Sequence, residues 1–228
     1  MISFRTLATS VLCAALFASM GGAQDLAKYR DFQFGMSLES VAKQIHLNAS
    51  AAKTTHQRPA VIQTLLWDQL SYSDLAVKDR SLRSIRFDFY NDELSKIAVT
   101  YDPAGTEGLT ADDMIEAISA IYGPATKPER TIAVSTFLLY EDNQKVLACW
   151  EDAQYSYNLF RSPYGNAFGL IAISKQLDLV AGDASREAER LDKQEAPAKE
   201  LARQLKQEED KRAAQEKARL FSKPKFRP

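Results

Sequence analysis

The chain has 228 residues and a net charge of −1 that hides a division: residues 24–184 carry 15 basic against 21 acidic side chains, residues 185–228 carry 13 against 9. An acidic body with a mildly basic tail lacks the broad basic surface that nucleic acid requires, which sets that class of partner aside. Beyond residue 23 the only cysteine is Cys149, so no internal disulfide can staple the chain and a packed core must hold it.

Residues 1–23 carry one charge, Arg5, ahead of an apolar run (Leu7, Val11 to Phe17, Met20) that closes on Gly21-Gly22-Ala23. This reads as a secretory signal peptide cut before Gln24, giving a periplasmic or secreted protein. The run is short for a membrane span. Leu12 stands where a small residue precedes a lipidated cysteine, so Cys13 is not read as a lipid site.

The first helix is expected from a cap at Ser37, with Leu38, Val41, Ala42 and Ile45 on one face and Glu39 suiting the dipole. Next, Ile85, Phe87 and Phe89 alternate with polar residues, Asn91-Asp92-Glu93 turns the chain, and Ile97, Val99 and Tyr101 alternate again. That is an antiparallel hairpin with one buried face. A second helix is capped by Thr110, carries Met114, Ile115, Ile118 and Tyr122 as its stripe, and stops at Gly123-Pro124. A second hairpin follows from 146–150, the turn Glu151-Asp152-Ala153, and Tyr155, Tyr157 and Leu159; a last strand covers 167–174.

Gly35-Met36-Ser37-Leu38-Glu39 and Gly108-Leu109-Thr110-Ala111-Asp112 stand 73 residues apart. The same step lays 60–68 on 133–141 with four identities, and Ile97 on Leu170. We read an internal duplication, with repeats at about 31–103 and 104–176. The fold class is therefore α+β: two tandem helix-plus-antiparallel-strand repeats make a helix-on-sheet body over 24–182. A charged helical extension covers 183–220, and a basic tail without regular structure covers 221–228. Leu191, Leu201, Leu205 and Leu220 sustain no heptad, so this extension is read as a solvated helix in preference to a coiled-coil partner helix, with a kink or a fresh start expected at Pro197.

Few residues invite chemistry. His46 and His56 are too few for zinc, which takes three or four ligands. The acids from Asp102 to Asp113 lack EF-hand spacing, and phosphate-loop and nucleophile-elbow motifs are absent from the sequence. Cys149 beside Trp150 in a strand is read as a packing residue. The expectation is a non-enzyme with no catalytic residue, metal or cofactor. The aromatic cluster Trp150, Tyr155, Tyr157, Phe160 and Tyr164 is the candidate partner-binding surface, because rings on both faces of one hairpin leave some near solvent unless the tail covers them.

Phe34-Gly35-Met36-Ser37 and the amphipathic helix after it resemble the exported bacterial SmpA/OmlA (BamE-like) group and the related β-lactamase-inhibitor-like fold. The resemblance implies helices laid on antiparallel strands and, as in the inhibitor, a tandem duplication. The outer-membrane members are lipoproteins, and no functional residue carries over. The resulting expectation is an exported binding or adapter protein of the bacterial envelope that meets an envelope protein or surface through its C-terminal extension. The alternatives are an enzyme with an unrecognised site on the open sheet face, or an inhibitor of a secreted hydrolase.

Overall fold

The computed structural model describes residues 25–69, 81–136, 140–162, 167–225 and 227. The leader expected at 1–23 and Tyr164 lie outside the described residues. A small hairpin, β1 (Lys28–Tyr29) and β2 (Phe32–Gln33), precedes α1 (Leu38–Gln44). Then follow β3 (Lys53–His56), β4 (Ile62–Asp68), β5 (Leu82–Tyr90) and β6 (Glu93–Tyr101). After α2 (Ala111–Tyr122) come β7 (Thr131–Thr136), β8 (Tyr140–Glu151), β9 (Tyr155–Arg161) and β10 (Phe168–Ser174), and α3 runs over Lys175–Ser222.

The eight longer strands form one antiparallel sheet in the order β3-β4-β5-β6-β10-β9-β8-β7. Outward from the centre the strand order is mirrored, β6-β5-β4-β3 on one side and β10-β9-β8-β7 on the other. The β6–β10 ladder runs from Thr100↔Gly169 to Lys96↔Ile173 and is centred on Ala98↔Ile171, two residues that stand 73 apart. The gapless sequence match of 60–68 to 133–141 does not mark equivalent strands, however: β4 lies inside the sheet, whereas β7 is its edge. In the ladders Trp67 of β4 faces Ile85 and Trp150 of β8 faces Tyr157, so position pairs the two tryptophans through a longer step than 73.

One sheet face carries α1, α2 and the β1–β2 hairpin. All four residues of the expected α1 stripe are buried there, with Met114 and Ile118 from α2 and Leu65, Trp67, Phe87, Ile97, Leu159 and Leu170 from the strands. Both helix starts follow a glycine in the left-handed region, Gly35 (φ +83°) and Gly108 (φ +81°), a conformation that a β-carbon penalises. Ser37 Oγ accepts the Ser40 N–H at 3.3 Å, and the Asp92 carboxylate accepts the Leu38 N–H at 2.9 Å. Asp92 reaches α1 because the β5–β6 turn puts Asn91 and Asp92 at positive φ, as a tight two-residue hairpin turn requires. At α2 the capping box is reciprocal between Thr110 and Asp113, one residue beyond the acid singled out by the repeat.

The opposite face receives α3. The change in composition near residue 183 falls inside one helix that begins at Lys175, eight residues earlier. Ala184 and Ala188 are buried, and Leu177, Ala181, Leu191 and Glu195 are half-buried around them. These six positions keep an alternating spacing of four and three, a stripe that faces one neighbour. The helix rests against β5, β6 and β10. Small alanines let its backbone approach the sheet closely. It continues unbroken through Pro197 to Ser222, and a 3₁₀ turn covers Lys223–Lys225, where the sequence indicated irregular chain from 221.

Candidate functional site

The four described members of the aromatic cluster are divided between the two faces of the sheet. Trp150 and Tyr157 are buried beneath α2. Trp150 Nε1–H donates to the Gly123 carbonyl at 2.9 Å and to Ser119 Oγ at 3.1 Å, which ties β8 to the end of α2. Tyr157 meets the Tyr122 ring at 4.5 Å, and burial pushes its hydroxyl pKa well up. Tyr155 is half-buried and stacks on Phe34 at 5.3 Å. Phe160 lies on the opposite face with Ile171, packed with Ile132 and Ile173. Its ring crosses β10 where Gly169 leaves room; a Cβ there would sit 2.1 Å from the ring. The expectation of an open aromatic surface is corrected for three of these four: Trp150, Tyr157 and Phe160 have their rings buried within this chain, because each sheet face acquired a cover, and Tyr155 is left half-buried.

Cys149 stands on the α3 side of β8, 1% exposed. Arg130 Nη2 donates to its sulfur at 2.8 Å and to Asn158 Oδ1 at 2.6 Å, while Asn158 Nδ2 donates to Ser156 Oγ at 3.0 Å. Burial raises the thiol pKa, against the opposing pull of Ser156 and Arg130. A buried, protonated thiol is a weak nucleophile, so the group packs β8 against β9. Glu151 joins this edge to α3 through Lys175 at 3.1 Å, and Lys175 Nζ also donates to the Asp152 carbonyl at 2.6 Å.

The acids near α2 have local partners. Asp102 accepts the Gly105 N–H at 3.1 Å, Asp112 pairs with Lys127 at 3.1 Å, and Asp113 caps the helix, its pKa lowered by the Thr110 hydroxyl and N–H. Among the described residues no group of three or more His, Cys, Asp or Glu side chains stands close enough to hold a metal.

The largest surface feature is α3 itself. Its first part is fastened at three points: Lys175 at the β8–β9 turn, Asp178 to Lys96 of β6 at 2.7 Å, and Glu195 to Arg58, which follows β3. The Arg58 guanidinium and Lys199 hold the Glu195 carboxyl down to about 2. From residue 196 to 225 every position is exposed. At about 1.5 Å per residue, the stretch from 196 to 222 reaches roughly 40 Å from the body. Along it Glu200–Arg203 (2.9 Å) and Glu216–Arg219 (2.6 Å) pair one turn apart, which supports a helix with little tertiary contact. Charge is graded along α3 and beyond: residues 175–195 hold 4 basic and 6 acidic side chains, 196–216 hold 5 and 5, and 217–228 hold 5 and none.

Sequence reasoning missed the docked stripe, although Ala184 and Ala188 spaced between Leu177 and Leu191 were its available signal. It also missed Arg58, which no local pattern distinguishes. Comparison with family models, with curated proteins and with solved structures finds no match for this chain.

Proposed function

We propose that this chain is a non-enzymatic adapter of the bacterial envelope, exported by its leader, in which a rigid α+β body holds out a helical arm. The observation that carries the reading is the division of α3 into a docked part, 175–195, and a fully exposed part, 196–222. A helix fastened to a sheet by Asp178–Lys96 and Glu195–Arg58 has a fixed direction of exit, which a spacer needs and a flexible tail lacks. The reading as an enzyme relied on an open sheet face, and α3 resting on β5, β6 and β10 weighs against it; the reading as a hydrolase inhibitor rests on the fold resemblance alone.

The body is proposed to be two copies of one α-plus-four-strand unit. In support, the mirrored strand order, the matching positive-φ glycines and the ladder centre at Ala98↔Ile171 all agree with a 73-residue step. The departure at β4 and β8 is accounted for by about ten extra residues ahead of β8 in the second copy, offset by a connection from β4 to β5 that is ten residues longer than the one from β8 to β9. On this reading the kinship to the SmpA/OmlA (BamE-like) and β-lactamase-inhibitor-like group extends from the Phe34-Gly35-Met36-Ser37 segment to the whole body.

The test is affinity capture from envelope extracts with the chain from Gln24 onward and with a version ending at Ala196, which leaves the docked part of α3 in place. Capture that depends on the arm is expected. Identical, empty captures from both would end the adapter reading.

A further inference from the structure

We propose that the far end of α3 is a docking site for an anionic phospholipid bilayer surface. The inference rests on the adapter reading and names what the arm reaches.

Lys217, Arg219, Lys223, Lys225 and Arg227 are exposed with no acid after Glu216, so the five charges are not neutralised within their own stretch. Glu216 pairs with Arg219 at 2.6 Å, which still leaves the segment strongly positive. Among these charges stand Leu220 and Phe221, 59% and 67% exposed. At about 100° per residue they share one side of the helix with Ala213 and Ala214, and Lys217 lies between them. Its butylene stem can lie along that apolar side while the ammonium reaches headgroups. Lys225 Nζ sits 3.3 Å from the Phe221 ring centroid, so charge and apolar surface occupy the same turn.

The chemistry separates a lipid surface from a protein partner. Two bulky apolar side chains and a dense, unshaped positive field offer no groove, heptad or fixed hydrogen-bond pattern for a folded partner to match. An anionic bilayer asks for nothing more: charges near the surface attract its headgroups, and a few apolar side chains enter the boundary. Each signal alone is weak and together they give reversible attachment. The length of the arm then stands the body off the membrane.

The experiment is vesicle co-sedimentation of the chain from Gln24 onward. The vesicles are phosphatidylcholine alone, or phosphatidylcholine with about a third phosphatidylglycerol. Binding to the anionic vesicles is expected, with little on the neutral ones. Lys217→Gln with Lys223→Gln and Lys225→Gln should cut the partition coefficient by at least about tenfold, since each lysine near such a surface counts for roughly fivefold. Leu220→Ser with Phe221→Ser should cost about tenfold. All these side chains are exposed, and circular dichroism checks that the helix persists.

Equal partition on both vesicle types, no partition on either, or variants that bind like the parent would overturn the inference. Failure here with arm-dependent capture of a protein intact leaves the adapter standing and removes the lipid. Vesicle binding unchanged in the chain ending at Ala196 would place the contact on the body and overturn the inference, with the adapter reading still decided by the capture experiment.

Discussion

The two parts of α3 are made of much the same residue types, yet one belongs to the body and the other does not. In 175–195 the side facing the sheet offers alanines where the backbone must come close, leucines beside them, and acids at the points where Lys96 and Arg58 wait. In 196–222 the apolar residues Leu201, Leu205, Leu220 and Phe221 are exposed, and acids and bases pair with one another along the helix. Helix-forming composition sets the conformation of both parts; the spacing of small residues sets which part is docked.

The largest expected contrast follows from a charge inserted into each part. Ala188, 3% exposed, lies against the sheet, so Ala188→Glu should destabilise the protein by about 3–5 kcal/mol, whereas Ala202→Glu should stay within about 0.5 kcal/mol. Urea midpoints decide it, and equal shifts would erase the distinction between the two parts. A smaller effect is expected at Pro197, which deprives the helix of one backbone donor. Pro197→Ala should raise the helical circular dichroism signal of the arm while leaving the urea midpoint of the body alone. If the midpoint rises as well, the arm is coupled to the core.

The smallest contrast is at the boundary. Glu195 is held near pKa about 2 by Arg58, below the usual carboxylate value of 4.5. A depressed carboxylate gives its contribution fully above the unfolded pKa and loses it as pH falls through the folded one. Protection factors for amide exchange over residues 189–195, with the intrinsic pH dependence divided out, should therefore be unchanged from neutral pH down to about 4.5 and fall progressively toward pH 2. Glu195→Gln should show the fast exchange already at neutral pH, with the global midpoint unmoved.

Much of the fold was legible because local rules and tertiary structure agreed. The stripe Leu38, Val41, Ala42 and Ile45, the alternation at Ile85, Phe87 and Phe89, and the Asn91-Asp92 turn each follow from period and turn chemistry. The short strands β3 and β7 carry no such pattern, since pairing with a longer neighbour defines them. The aromatic hairpin shows the limit most clearly. Period two correctly sent Tyr157 and Phe160 to opposite faces, but what covers each face depends on α2 and β7, far away in sequence. The docked stripe escaped notice because alanine contributes little apolar signal; its role there is the volume it does not occupy.

The central ladder has a consequence for any attempt to take the protein apart. On the proposed duplication β6 and β10 are equivalent strands, and an edge that pairs antiparallel about the Ala98↔Ile171 point would then be nearly complementary to itself. Each half expressed alone would uncover such an edge, β6 in one and β10 in the other, and an uncovered edge of this kind recruits a second copy. The halves act as each other's stopper, and the covalent link between them keeps a self-seeking edge closed.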